Sequence, residues 1–398
     1  QYSVLAGQSI AVKTSGYASV SLKESVEGAA LEDGVLTLTQ SAEVTLVATG
    51  LWGKTSEKTV QFTVVNGQRY DRTDEQLFDY ELGSTNVTFM LPEDISDVAR
   101  LSIGTSSYFD KGDGFTVSDG NVIIEKSLLE SISAVYGDHE ITITDGTDYY
   151  VYTCSFVTKI INSYEDLESI RTSQNTLDGY YILGQSFNAG NAVAMGSLIE
   201  EKGGGNWTSD PAKGFIGIFD GRGHVISNLK LDEHGMFLSI GAATIRNLAL
   251  VNAEVEVREL TGYGYAVGVF GRADCQSATF ENIFVSTNAR GLFRQAFGNV
   301  TLRNVLFVTS DASGYLFSTG NNNNNGSLTI ENAIVVGAEL FDYYGGTPLQ
   351  VNTAVYESES ALFEALVSGS GFAEWSDLFV YKDGTVCFGD NVVLRDGE

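Results

Sequence analysis

The chain has 398 residues, with 51 acidic against 23 basic side chains and a net charge of −28. Such a polyanion repels phosphate backbones and anionic lipid surfaces, which excludes nucleic acid as a partner. No apolar run reaches the roughly 18 residues of a membrane span, so none is expected in this chain.

Gly is abundant at 44 and Pro scarce at 3, with 22 Phe and 19 Tyr, as a β-rich chain with many tight turns requires. Cys154, Cys275 and Cys387 form no CxxC pair and imply no disulfide framework. Gln1 opens directly into strand-like sequence, so any leader or lipid anchor is expected to have been removed or to lie outside this sequence. The charge is uneven: residues 1–66 hold 4 basic and 6 acidic side chains, 67–157 hold 5 and 17, and 158–398 hold 14 and 28. The excess reads first as a solubility device.

In residues 1–66, short alternating runs begin at Ser9, Ala18, Val35, Glu43 and Thr59, separated by Gly and polar turns. Period-2 alternation at this spacing predicts a small β-sandwich, ending at Asn66-Gly67. Residues 67–157 repeat the logic, with runs at 87–90, 121–124, 139–143 and 149–152 and a hairpin signal at Asp145-Gly146. A second β-sandwich is expected there. Asp110, Asp113 and Asp119 lie in its Asp/Gly-rich stretch as candidate calcium ligands. Their spacing and the missing bidentate Glu exclude an EF-hand, and a solvated loop is the alternative. No other cofactor is implied.

Residues 158–398 contain an internal repeat. Asn228, Asn247, Asn282, Asn304 and Asn332 each end a run in which Thr, or Val in the first, precedes an apolar residue, a variable one and the Asn. Between them fall Phe237, Phe270, Phe293, Phe317 and Phe341, the first four shortly after a Gly. Strict alternation of two elements predicts a right-handed parallel β-helix, in which equivalent residues of successive coils stack ~4.8 Å apart. The asparagines are expected in one column, bonding each other at a turn, and the phenylalanines in another, filling the interior. The residues preceding the asparagines, Arg246, Glu281, Arg303 and Glu331, with Ser227 on the first coil, are expected to point outward, the four charged ones forming a ladder of alternating sign. Helical spacing after Ser163 and around Leu362, Phe363, Leu366 and Val367 predicts two end caps that cover the open strand edges.

At Asp178-Gly179-Tyr180-Tyr181-Ile182-Leu183 and again over Phe215–Ile226, the chain resembles the pectate-lyase-like β-helix domains related to GLUG-repeat proteins. These occur in secreted and surface proteins of bacteria, often behind immunoglobulin-like domains, and the Thr59–Val65 run resembles the last strand of such a domain. The resemblance implies two immunoglobulin-like sandwiches followed by the β-helix, in an extracellular or cell-surface protein. Gly221-Arg222-Gly223-His224 departs from the usual Gly-Asn-Gly-His, and Phe341 lacks its Gly.

No catalytic set emerges. Asp220 and His224 flank a turn where both are expected to bond backbone amides. No Asp-Asp pair occurs in the chain, and the acids of the repeat region are scattered. Binding without catalysis needs exposed aromatics beside polar groups. Trp207, Tyr263, Tyr265, Tyr343 and Tyr344 are the candidates, with Arg290 and Arg294 for an acidic sugar. The sequence thus points first to a non-enzymatic bacterial surface protein that binds a glycan or a host or matrix protein. A polysaccharide lyase or glycoside hydrolase with a groove along the coils is the alternative, and a structural stalk the third. Oligomeric state is open.

Overall fold

The computed structural model describes residues 2–5, 9–12, 19–50, 54–65, 67–104, 106, 108–132, 136–172, 178–198, 214–256, 268–293, 295–317, 327–341, 349–368, 379–382 and 385–388. Contacts divide the chain into two compact units, residues 1–156 and 157–398. It is mostly β throughout.

The first unit holds two separate cores, each closed between two sheets. In the first, Tyr2–Leu5, Thr55–Val65, Ala42–Thr49 and Ser19–Leu22 form one sheet, and Ser9–Ala11, Val35–Leu38 and Ala29–Glu32 the other. Alternation sends Leu36 and Leu38 inward against Val4, Val44, Val60 and Phe62. Asp33 and Gly34, both at positive φ, make the two-residue turn that pairs Glu32 with Val35. In the second, a five-stranded sheet ending in Arg69–Glu81 faces a three-stranded sheet of Phe115–Ser118, Asn121–Ile124 and Val87–Met90. A short helix, Lys126–Ser131, adds Leu128 and Leu129 to this core and was not foreseen from the sequence.

The second unit is built on one large parallel sheet. Lys159–Ile161, Tyr180–Leu183, Ile218–Asp220, Thr244–Val255, Arg272–Thr287, Gln295–Thr309, Leu328–Val336 and Leu349–Tyr356 follow one another in both chain order and spatial order. Each pairs parallel with the next, so the chain returns to the same side after every strand. Tyr181, Phe219, Ile245, Phe280, Leu302 and Ile330 are register partners along this path, and all are buried in one core.

Asn247, Asn282, Asn304 and Asn332 interrupt their strands at φ of 52–56°, the left-handed region that asparagine tolerates better than other side chains. The interruption turns the strand, so that Ile245 before it and Leu248 after it are both buried in the same core. Their amides form a continuous relay. Asn282 Nδ2 donates to Asn247 Oδ1 at 2.8 Å, Asn304 to Asn282 at 2.7 Å, and Asn332 to Asn304 at 3.0 Å.

Asn228 does not belong to that column. Its strand, Val225–Ser227, pairs with Ala249–Val251, one bend further along, and its amide donates to Asn188. Level with Asn247 stands Gly221, where a Cβ would come within 2.2 Å of the Asn247 carbonyl oxygen. The Asp220 carboxylate instead receives the Asn247 amide at 3.0 Å. Ser227 is displaced from the charge ladder for the same reason, and Asp220 takes its place opposite Arg246.

Phe237 stacks on Phe215 at 4.8 Å and meets Phe219 edge-on, while Phe270 lies 6.4 Å from Phe293. Phe317 and Phe341 are backbone partners in the following pair, and the Phe317 side chain lies outside the described residues.

The two helices have different roles. In Tyr164–Thr172, Ser163 Oγ accepts the Asp166 amide, and Leu167 and Ile170 enter the same core as Ile161 and Tyr181. Glu359–Ser368 was expected to cover the far end and instead lies alongside. Its Leu362 packs with Val225, Ala249, Leu306 and Ile334, which face outward from the second run of each strand. The inward column Leu250, Val285, Phe307, Val335 ends in Val355, which is 48% exposed. Phe363, Leu366 and Val367 have side chains outside the described set.

Candidate functional site

Where the long strands make their second bend, polar side chains of successive strands collect in a groove of about 490 Å³. Its polar lining comprises Asn252 and Glu254, then Ser286, Thr287 and Asn288, then Thr309 and Ser310, and finally Glu357, Ser358 and Glu359. Strand register puts Ala253 beside Thr287 and Thr287 beside Thr309. Gly337 closes one wall at φ 74°, with the Thr309 carbonyl 2.3 Å from where a Cβ would stand, so only glycine fits.

Part of this polarity is spent holding the bend. Ser286 Oγ accepts the Asn252 amide and Asn288 Oδ1 accepts the Val255 amide, both at 2.8 Å. Thr309 Oγ1 donates to the Ala289 carbonyl at 2.6 Å. Glu254 pairs with Lys230 at 3.5 Å. The side-chain amide donors of Asn252 and Asn288 and the carboxylates of Glu357 and Glu359 have no partner among the described residues. The groove therefore offers both donors and acceptors, as recognition of hydroxylated ligands requires. Among the described residues no Lys or Arg lines it.

A second polar assembly lies on the first run of the strands. Asp220, Arg246, Glu281, Arg303 and Glu331 are consecutive register partners, five charges of alternating sign. Arg303 reaches Glu331 at 2.8 Å and Glu281 at 3.5 Å, and Arg246 Nε donates to Asp220 Oδ2 at 2.7 Å. Asp220 is 1% exposed, and its other oxygen accepts the Arg222 amide at 2.9 Å and the Asn247 amide. The Tyr180 hydroxyl accepts from both Arg222 and Arg246, at 3.2 and 3.1 Å. Burial works against the charged form of Arg246, but Asp220 and Tyr180 outweigh it and hold the guanidinium above its ordinary range. Burial pushes the His224 imidazole down, toward its neutral form. With both Asp220 oxygens committed, this assembly is built as a structural network.

Of the residues singled out in the sequence, Arg290, Asp110, Asp113 and Asp119 are among the described residues. Trp207, Tyr263, Tyr265, Arg294, Tyr343 and Tyr344 lie outside the described residues. Arg290 sets its guanidinium over the Tyr315 ring at 5.5 Å and donates to the Ser313 carbonyl. Asp110 ends a short strand paired with Arg100, Asp113 lies in the following turn, and Asp119 occupies the positive-φ turn between Ser118 and Asn121. Among the described residues no three His, Cys, Asp or Glu groups converge as a metal site would need. The groove was missed because its parts are far apart in sequence. The available signal was the polar group Ser286-Thr287-Asn288, recurring as Thr309-Ser310, at the end of each apolar run.

No family model and no curated protein matches the chain. Solved structures give only weak likenesses. The titin Ig tandem A164–A165 has a TM-score of 0.15 and 12% identity, over 35% of this chain and 81% of that one. A Bacteroides ovatus mixed-linkage glucan utilization locus protein, SGBP-B in complex with a mixed-linkage heptasaccharide, has 0.17 and 13%, over 40% and 45%. A Porphyromonas gingivalis W83 protein of unknown function has 0.16 and 10%, over 34% and 83%. Scores this low carry no argument about this chain.

Proposed function

We propose that the chain is a non-enzymatic extracellular protein of a bacterial surface that binds glycan. In this reading residues 1–66 and 67–157 are immunoglobulin-like spacers, and residues 158–398 are a right-handed parallel β-helix that presents the binding groove. The strictly sequential parallel pairing and the asparagine relay support the β-helix. The observation that carries the function is the groove itself, lined by the side-chain amides of Asn252 and Asn288 and the carboxylates of Glu357 and Glu359, which have no partner among the described residues.

One observation favours the alternative, a polysaccharide-degrading enzyme: Glu254, Glu357 and Glu359 share that groove, and glycoside hydrolysis works through paired carboxylates. A glycan array with a reducing-sugar release assay on the same panel separates the readings. Binding without release is the expected result. Release abolished by Glu357→Gln would establish the enzyme instead, and silence in both assays would leave the structural stalk.

A further inference from the structure

We infer that the groove takes an uncharged oligosaccharide and rejects chains bearing carboxylates, such as polymers of uronic acid. This rests on the glycan-binding reading above and goes beyond it by naming the ligand class. Among the described residues three glutamates line the groove and no Lys or Arg does. Lys230 pairs with Glu254, whereas Glu357 and Glu359 line the cavity with no ion-pair partner among the described residues. Around it, residues 158–398 hold 28 acidic against 14 basic side chains, so the wider field has the same sign.

Sugar hydroxyls donate as readily as they accept. Glu357 and Glu359 suit their hydrogens, while the Asn252 and Asn288 amides supply donors to their oxygens. A uronate replaces a hydroxymethyl donor with an acceptor-only anion. It would meet carboxylates where it needs cations, a built-in selection against the wrong ligand. Distances within a cavity of about 490 Å³ are comparable to the ~8 Å screening length at physiological salt, so the repulsion is felt there.

The test uses the whole chain on an array of neutral glycans and of acidic polysaccharides, each acidic one printed beside its carboxyl-reduced counterpart. Neutral ligands should bind, and each carboxylate form should bind at least ~10-fold more weakly than its reduced partner. That gap should close in 1 M NaCl and in the Glu357→Gln/Glu359→Gln double variant. Ser310→Tyr, an exposed position on the groove wall, should abolish binding while leaving Tm unchanged. A carboxylated glycan that binds as tightly as its reduced form overturns the inference and leaves the glycan-binding function standing. So would neutral binding indifferent to Ser310→Tyr. An array on which no glycan binds removes the function itself.

Discussion

At the scale of single residues, the asparagine relay shows one side chain meeting two demands. Each of the four adopts a left-handed backbone and passes a hydrogen bond along the column. Asn304→Ala removes both bonds of its amide and places a Cβ with no compensating polar group at φ 55°. The backbone strain costs ~1–2 kcal/mol and the broken relay about as much again, so a loss of ~2–4 kcal/mol is expected by urea denaturation. Asn228, also at φ 52°, shares the backbone strain of ~1–2 kcal/mol when replaced by alanine, but its exposed amide makes one side-chain bond outside the relay, so Asn228→Ala should cost less than Asn304→Ala, at ~1–2 kcal/mol. The two sites were indistinguishable in sequence, since Ile226-Ser227-Asn228 and Ile245-Arg246-Asn247 fit the same pattern. Only strand pairing, a long-range property, reveals that the first marks the second bend. His224 gives a pH effect of definite sign. Its folded value lies below the ordinary imidazole value near 6.5, so the native state binds fewer protons than the unfolded chain. Its contribution is complete above the unfolded value and is lost as pH falls from there through the folded value. Thermal melts across that window should show a decline for the wild type that is smaller in His224→Gln.

Among elements, burial decides what the charge ladder is worth. Arg303 and its partners Glu281 and Glu331 are all substantially solvated, so each pair should contribute ~0.2–1 kcal/mol and weaken in salt. Arg246 belongs to the same column but faces a buried carboxylate. Arg246→Met leaves Asp220 charged with only Arg222 at 3.8 Å to offset it, and a loss of ~3–5 kcal/mol is expected. Adding Asp220→Asn removes the charge and should recover a large part of that loss, whereas Arg303→Met, which loses two exposed pairs, should cost ~0.4–2 kcal/mol. A double-mutant cycle by thermal or urea unfolding checks this, and equal costs at Arg246 and Arg303 would contradict the burial argument. The ladder was legible because the asparagines set its register from Arg246 onward. Its buried first member was not, because Asp220 precedes a Gly-rich turn rather than an asparagine. The helix at Glu359 was legible from its spacing, but its docking was not. Helical periodicity identifies an apolar face, and here the outward Ala249, Leu306 and Ile334 supplied an equally apolar surface beside the stack.

For the whole molecule, two electrostatic effects of opposite sign compete as salt rises. Screening weakens the exposed ion pairs, each worth at most ~1 kcal/mol. It also relieves the repulsion among 51 acidic side chains that only 23 basic ones offset. The screening length falls from ~30 Å at 0.01 M to ~10 Å at 0.1 M, so long-range repulsion between surplus charges is suppressed first. Paired charges such as Lys23 and Glu57 at 2.6 Å or Arg69 and Glu140 at 3.7 Å lie far inside either length and change little over that range. The repulsive term therefore dominates the response, and Tm should rise by several degrees between 0.01 and 0.2 M NaCl. The acidic segment 67–157, with 17 acids to 5 bases, should gain more than 1–66, with 6 to 4. Its 13-residue edge strand Arg69–Glu81 concentrates that charge and so blocks pairing with other chains, at the cost of self-repulsion. Scanning calorimetry across a NaCl series, with KCl as the check on ion-specific effects, measures the balance. A Tm that stays flat or falls would mean that local pairing outweighs the surplus charge.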